Sequence, residues 1–400
     1  KTKLKVVHLA TGLHGGAGNA AYRIHESLVS IGVDSNIVTI SSPEEFGNDP
    51  RVFVLKRNKL QSAHSSSLTL LQSLIVQNSS SLTTSFSLNS ISFEEEMYAA
   101  DVIHLHNTYN LLNYKYIDRF SKSSKIVATL HDQRMFTGAC HYSFDCRSFI
   151  DGECTNCPQV RIPYRSMVHK NLSKTKRALS STKNLEIVSP SHWLMELSKQ
   201  STALSERNHF VIRNPASQTF INKAKEVRIH NKSIRIGFSA TNLMNPFKGL
   251  AILFRAISLV SNSVWLENLE LVLIGSGQPR EIPDGLKVTI VHATNEYRMR
   301  EALESVDLLV IPSVQDNFPN LISEALLSGC ELITSDAGGL PELSVDFGYK
   351  TFPSGDSSKL AQLLLAYTPD SANREKRINA ARKVFSPSSI AQAYKEVYEN

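Results

Sequence analysis

Val306–Leu343 of this 400-residue chain reads VDLLVIPSVQDNFPNLISEALLSGCELITSDAGGLPEL, and its pattern decides the fold. Val306–Ile311 is an apolar run ended by Pro312, of strand rather than helix length. Ser313, Gln315, Asp316, Asn317, Pro319 and Asn320 are turn formers. From Leu321 the apolar spacing (Leu321, Ile322, Ala325, Leu326) predicts a helix, with Asn320 as its N-cap and Gly329 at its C-terminal end. Glu331–Thr334 resumes a strand. The result is a βαβ unit with a polar loop at the carboxyl end of its first strand, where parallel sheets place their ligands. The amide end of the helix faces that loop and suits an anion such as a diphosphate.

Asp316 and Glu324 stand eight positions apart. Ionised carboxylates only accept hydrogen bonds, so two of them turned into one cleft can hold sugar hydroxyls. The plainer alternative has Asp316 capping the helix and Glu324 on its wet face. The segment resembles the signature of retaining glycosyltransferase family 4, two acids separated by seven residues. Asp316-Asn317-Phe318-Pro319-Asn320 and Glu324-Ala325-Leu326 carry the likeness, and Asp336-Ala337-Gly338-Gly339-Leu340-Pro341-Glu342 matches the same group. The first acid is usually Glu in that family; here it is Asp316, shorter by a methylene.

The resemblance implies two doubly wound, Rossmann-like α/β domains facing across a cleft, the GT-B arrangement. It implies transfer of a sugar from a UDP- or GDP-sugar to a glycan or lipid-linked glycan, with retained anomeric configuration, in surface polysaccharide biosynthesis. Glu324 is then expected on the donor ribose, and Asn317, Phe318, Pro319, Asn320 and Leu321 along the donor.

Composition is that of a globular protein, 42% hydrophobic and 20% charged, and the length suggests two domains. No run reaches the roughly 18 apolar residues of a membrane span, and no signal peptide is visible at Lys1, so a cytoplasmic location is expected. Residues 1–190 hold 21 Lys+Arg against 15 Asp+Glu, and the remainder 22 against 22, so the whole net charge of +6 sits in the first half. Much of it lies between Arg161 and Lys183. Such a face fits an anionic substrate or the inner membrane surface, as a peripheral contact, or is merely solvated. Nucleic acid is not expected, because no nucleic-acid-binding motif accompanies the charge.

In chain order, Leu4–Ala10 reads as a strand, Thr11–Gly18 as a glycine loop, and Asn19–Ile31 as a helix. The family likeness makes Gly15 and Gly16 candidate donor contacts; a glycine turn alone would look the same. Residues 61–92 are Ser-rich, with a short amphipathic helix around Leu68–Ile75 expected as an acceptor-side or membrane-touching loop. Asp101–His106 is a strand with His104 and His106 on one face. Lys125–Leu130 is another, with His131 at its carboxyl end. Thr129-Leu130-His131 matches a Thr-x-His of the family, which implies His131 and Asp316 around the transferred sugar.

Four cysteines follow: Cys140, Cys146, Cys154 and Cys157, ending in C-x2-C-Pro. Four thiols so close can tie one tetrahedral, structural zinc; disulfides, unbridged thiols or an iron–sulfur cluster are the alternatives. The insert resembles one found in an exopolysaccharide or colanic-acid-type subgroup of the family. Cys330 reads as a core residue.

The expected first domain is 1–212, with the insert at 138–160 and a C-terminal helix, 386–400, folding back onto it. The expected second domain is 213–385. There Lys248-Gly249 precedes an apolar-periodic helix. A cation at a helix N-terminus is unfavourable for the helix, so Lys248 needs an anionic partner; by resemblance it is the donor diphosphate. The family's usual Arg six residues upstream is Asn242 here. Gly275 lies in a loop resembling one near the donor, and His292 at a strand end where the family places the nucleobase. No DxD pair is apparent, so no catalytic metal is expected. The rival readings are an epimerase or phosphorylase on the same fold and a non-catalytic nucleotide-sugar-binding subunit.

Overall fold

The computed structural model describes residues 3–56, 67, 74–77, 99–109, 111–112, 117–222, 234–260, 268–370 and 372–400. The chain forms two compact units: Lys1–Pro215 with Pro387–Asn400, and Ala216–Ser386. The helix expected around Leu68–Ile75 lies largely outside the described residues.

The first unit is built on seven parallel strands: β1 (Lys5–Leu9), β2 (Asp34–Thr39), β3 (Val52–Val54), β4 (Val102–Leu105), β5 (Lys125–Thr129), β6 (Leu185–Ser189) and β7 (Asn208–Val211), in the order β3-β2-β1-β4-β5-β6-β7. The inner strands read as unbroken apolar runs because helices cover both faces of a parallel sheet; β4 is buried at every residue. Strand order reverses between β1 and β4, so the carboxyl ends of these two strands open the crevice where such folds bind ligands.

The helix after β1 spans Gly15–Ser30, four residues earlier than the sequence reading placed it. Gly18 explains the difference. A Cβ there would lie 2.4 Å from the Leu13 carbonyl carbon, so the loop folds directly over the first helical turn. The last helix, Pro387–Glu399, lies on this unit. Ile390, Ala391, Tyr394, Val397 and Tyr398 form a stripe at helical spacing that packs with Val6, Ile24, Leu28 and Val33.

The second unit repeats the plan with six parallel strands: β8 (Ile234–Asn242), β9 (Leu269–Ser276), β10 (Lys287–Val291), β11 (Leu308–Ile311), β12 (Glu331–Ser335) and β13 (Lys350–Phe352), in the order β10-β9-β8-β11-β12-β13. Its reversal falls between β8 and β11. The helix after β11 spans Asn320–Ser328, with Pro319 rather than Asn320 at the N-cap. Pro319, at φ −74° and ψ 140°, supplies the extended backbone an N-cap needs, so Asn320 already belongs to the first turn.

Candidate functional site

In the second unit, the loops leaving β8 and β11 are stitched together at the reversal point. The Asn245 side chain accepts from Phe247 N–H at 3.0 Å and shapes a 3-10 turn, Pro246–Lys248. Gly249 follows with φ +79°, and a Cβ on it would sit 1.9 Å from the Pro312 carbonyl oxygen. Only glycine permits that approach and that backbone angle. Val314 N–H then donates to the Phe247 carbonyl at 2.8 Å.

This packing brings Lys248 Nζ to 2.6 Å from Asp316 Oδ2. Ser313 Oγ lies 3.4 Å from the same oxygen, and Gly339 N–H donates to the Asp316 carbonyl at 3.0 Å. The anionic partner that Lys248 requires is therefore Asp316 itself. Neither acid takes its plainer role: the helix N-cap has no side-chain cap, and Glu324 is 7% exposed rather than on a wet face. Asn317 and Phe318 are buried and Pro319, Asn320 and Leu321 half-buried along the same loop and helix start. Asn242, in place of the expected Arg, turns its Oδ1 back to Met244 N–H at 2.9 Å. Gly275 sits beside Ala240 at the end of β9. His292 is exposed just past β10, at the sheet edge and two strands from β8, so the structure does not bring it to the Lys248–Asp316 pair.

In the first unit, parallel pairing sets His8 beside His104, and the two-residue period carries His106 onto the same face. His8 Nδ1 lies 3.0 Å from His106 Nε2, and His106 Nδ1 lies 2.9 Å from His131 Nε2. His104 Nε2 meets Thr129 Oγ1 at 2.7 Å, and its Nδ1 receives Tyr398 O–H at 2.7 Å. Thr129 Oγ1 is also 3.1 Å from the Tyr394 hydroxyl. Burial, with repulsion among the rings, holds His8, His104 and His106 well below the ordinary histidine value, and burial lowers His131 to about 4. All four rings are thus neutral at pH 7.

A pocket opens where this array reaches the end of β5, lined by His106, Tyr109, His131, Asp132 and Arg134 among others. Arg134 binds Asp132 through Nη2 at 2.7 Å and Nε at 2.8 Å, and its guanidinium lies 4.3 Å from the Tyr109 ring centre. Burial alone would raise the Asp132 carboxyl; Arg134 and His141 outweigh it and hold the group ionised below its usual range. Gly15 and Gly16 are exposed at the start of the helix that follows β1. A Cβ on either would meet nothing within 4 Å. Sequence reasoning found His131 but not the roles of His8, Asp132 and Arg134. The available signal was strand adjacency, which sets β1 beside β4.

The cysteine insert lies against the His131 loop. Ser143 N–H donates to Gln133 Oε1 at 2.7 Å, and His141 Nδ1 is 3.6 Å from Asp132 Oδ2. Cys140, Cys154 and Cys157 are buried, Cys146 half-buried, and none forms a disulfide. A hydrogen bond from Cys140 lowers the Cys157 thiol to about 7, while burial lifts Cys154 to about 12. Cys140 is raised by that same bond, by burial and by all three other cysteines, so the four thiols share one neighbourhood. Among the described residues, though, the one group of three or more potential ligands gathered within 4.8 Å is His8, His104 and His106, a spacing that could hold a metal ion. The thiols are not drawn together that tightly.

Two doubly wound parallel sheets with these loops define the GT-B fold, and the chain is a glycosyltransferase. Residues 234–369 match the family described as Glycosyl transferases group 1, so the second unit belongs to that family. The chain is similar to the putative colanic acid biosynthesis glycosyl transferase WcaC of Escherichia coli (strain K12), 24% identical over 318 residues, covering 75% of this chain and 76% of that one. Among solved structures it resembles Anabaena Alr3699/HepE in complex with UDP-glucose, with TM-score 0.61, 13% identity and 99% of each chain covered. It also resembles WaaG, a glycosyltransferase involved in lipopolysaccharide biosynthesis, with TM-score 0.61, 12% identity, and 98% of this chain and 99% of that one covered. Among the described residues no helix is long and apolar enough to cross a membrane.

Proposed function

We propose that this chain moves a sugar, with retained anomeric configuration, from a UDP-sugar to a lipid-linked glycan during surface polysaccharide assembly at the inner face of the membrane. The observation that carries the reading is the Lys248–Asp316 pair, set beside the helix start at Asn320 on the reversal point of a group 1 glycosyl transferase domain. A diphosphate at that point would exchange with Asp316 for Lys248. As the sugar bond breaks, Lys248 and the helix amides would stabilise the charge growing on the leaving diphosphate, which lowers the barrier more than binding alone. Glu324 accepts from the donor ribose, and Asp316, once displaced, from the transferred sugar. His131 serves a sugar hydroxyl in the first unit's pocket. The choice of UDP follows HepE, solved with UDP-glucose, and the choice of glycan follows the colanic acid and lipopolysaccharide relatives. Gly15, Gly16, Gly275 and His292 remain assigned to the donor from the sequence alone.

Two finer assignments complete the proposal. The exposed bases Arg161, Lys170, Lys176, Arg177 and Lys183, beside the exposed Ile162, meet anionic lipid headgroups peripherally. Cys140, Cys146, Cys154 and Cys157 hold one structural zinc. Their shared neighbourhood and the depressed Cys157 thiol fit thiolate ligation, and four such ligands leave no open position for catalysis.

The test is incubation with lipid-linked acceptor and each common nucleotide sugar, followed by nucleotide release and by NMR of the product anomer. Release coupled to a glycosylated product of unchanged configuration is the expected result. Inversion, or interconversion of the donor without transfer, overturns it. Metal analysis after chelator washing should find about one zinc per chain; less than half an equivalent counts against the cysteine site.

A further inference from the structure

Three neutral imidazoles carry three N–H protons between them. In the row His8–His106–His131, each of the two ring-to-ring contacts, 3.0 and 2.9 Å, holds one proton. The third must lie at one end of the row, on His8 Nε2 or on His131 Nδ1. His8 is fully buried, and its Nε2 has no hydrogen-bond partner. A proton there would be an orphan donor in the interior, bearing its whole desolvation cost. Buried donors without acceptors are rarer than under-used acceptors. The proton therefore goes to the other end.

We propose that His106 and His8 are positioning residues for His131, forming a relay of three imidazoles that presents a neutral ring to the pocket with its proton on Nδ1. His131 then meets its ligand as a hydrogen-bond donor, suited to a sugar hydroxyl oxygen, and cannot serve as a base through that atom. The polarity runs one way: His8 Nδ1–H donates to His106 Nε2, and His106 Nδ1–H donates to His131 Nε2. Burial keeps the rings neutral, which the proton count requires. A cation at His8, His104 and His106 would compete for the same lone pairs. It would have to displace the proton between His8 and His106 and the two hydroxyls on His104, with no carboxylate in the group to balance its charge. The functional half of the proposal rests on the reading that the pocket takes part in sugar transfer; the tautomer does not.

The experiment is two-bond 1H–15N correlation NMR on protein labelled at histidine, at pH 7, with His131→Gln used for assignment. His131 protonated at Nδ1 and His8 bare at Nε2 are expected. His131 protonated at Nε2 overturns the proposal, as do ring shifts marking a metal bound at His8 or His106 after zinc is added. Kinetically, His106→Leu removes both contacts, whereas the Asn amide in His106→Asn can stand where Nδ1–H donates. The Leu variant should lose kcat on the order of 10- to 100-fold with donor KM nearly unchanged, the scale of losing an orienting partner, and the Asn variant should regain most of it. Equal loss in both variants, or loss in neither, overturns the positioning role. If the wild type transfers no sugar at all, the function reading fails while the tautomer measurement still decides the relay.

Discussion

Lys248 and Asp316 show what a single residue pair contributes. Asp316 is 5% exposed, and its carboxylate is matched by one lysine at 2.6 Å. Lys248→Ala should therefore do two things. It leaves a buried carboxylate without its cation, which should lower unfolding free energy on the order of 1–3 kcal/mol. That is less than for a fully buried pair, because Lys248 keeps some contact with water. It also removes the charge expected on the leaving diphosphate, so kcat/KM should fall about 100-fold or more. Denaturant titration and donor kinetics on the same preparation check both. Asp316→Asn keeps the shape and loses the charge, and should likewise cut turnover. The acid pair was legible in sequence because its spacing is local. The Lys248–Asp316 contact was not, since it joins positions 68 residues apart and exists only because β8 and β11 are neighbours.

At the scale of elements, two devices hold the sites. Gly249 lets the loop after β8 touch the end of β11. Gly249→Ala must change a φ of +79° and clear a 1.9 Å overlap with Pro312, which should cost on the order of 1–3 kcal/mol. It should also weaken nucleotide binding by moving Lys248, as read by thermal melts with and without UDP. The helix Pro387–Glu399 does for the first unit what no neighbouring strand could. Its Tyr398 and Tyr394 hydroxyls reach His104 and Thr129, two to five positions from His131 along the chain or one strand over. Tyr398→Phe leaves His104 Nδ1 without its donor, at a cost of about 1–3 kcal/mol. Removing residues 387–400 bares Val6, Ile24 and Leu28 and should abolish cooperative folding, measured by calorimetry. The strands and the main helices were readable because their periods lie in the sequence. The glycine loop was misjudged by four residues and the helix cap by one, because close backbone approach and cap geometry depend on what packs against them.

For the molecule as a whole, the histidines tie stability to pH. His25, His131 and His141 titrate at about 4 when folded against 6.5 ordinarily, chiefly through burial, and His8, His104 and His106 lie well below 6.5. Between those values the unfolded chain binds more protons than the folded one, so stability rises with pH there. It should be complete above pH 6.5 and fall as pH drops toward 4, by at most about 1.4 kcal/mol per pH unit for each histidine. Urea midpoints from pH 7.5 to 4 check the sign; a midpoint that climbs on acidification would contradict it.

The seat around Lys248 carries a further lesson about how an anion arrives. Residues 191–400 hold equal numbers of acids and bases, and within them the key cation already has a counter-charge. Such a seat casts little field into solution, so it selects by fit at contact rather than by attraction from afar. Nucleotide association with the isolated event at this seat should thus depend only weakly on ionic strength, and an uncharged nucleoside, unable to take the carboxylate's place, should be refused at the door.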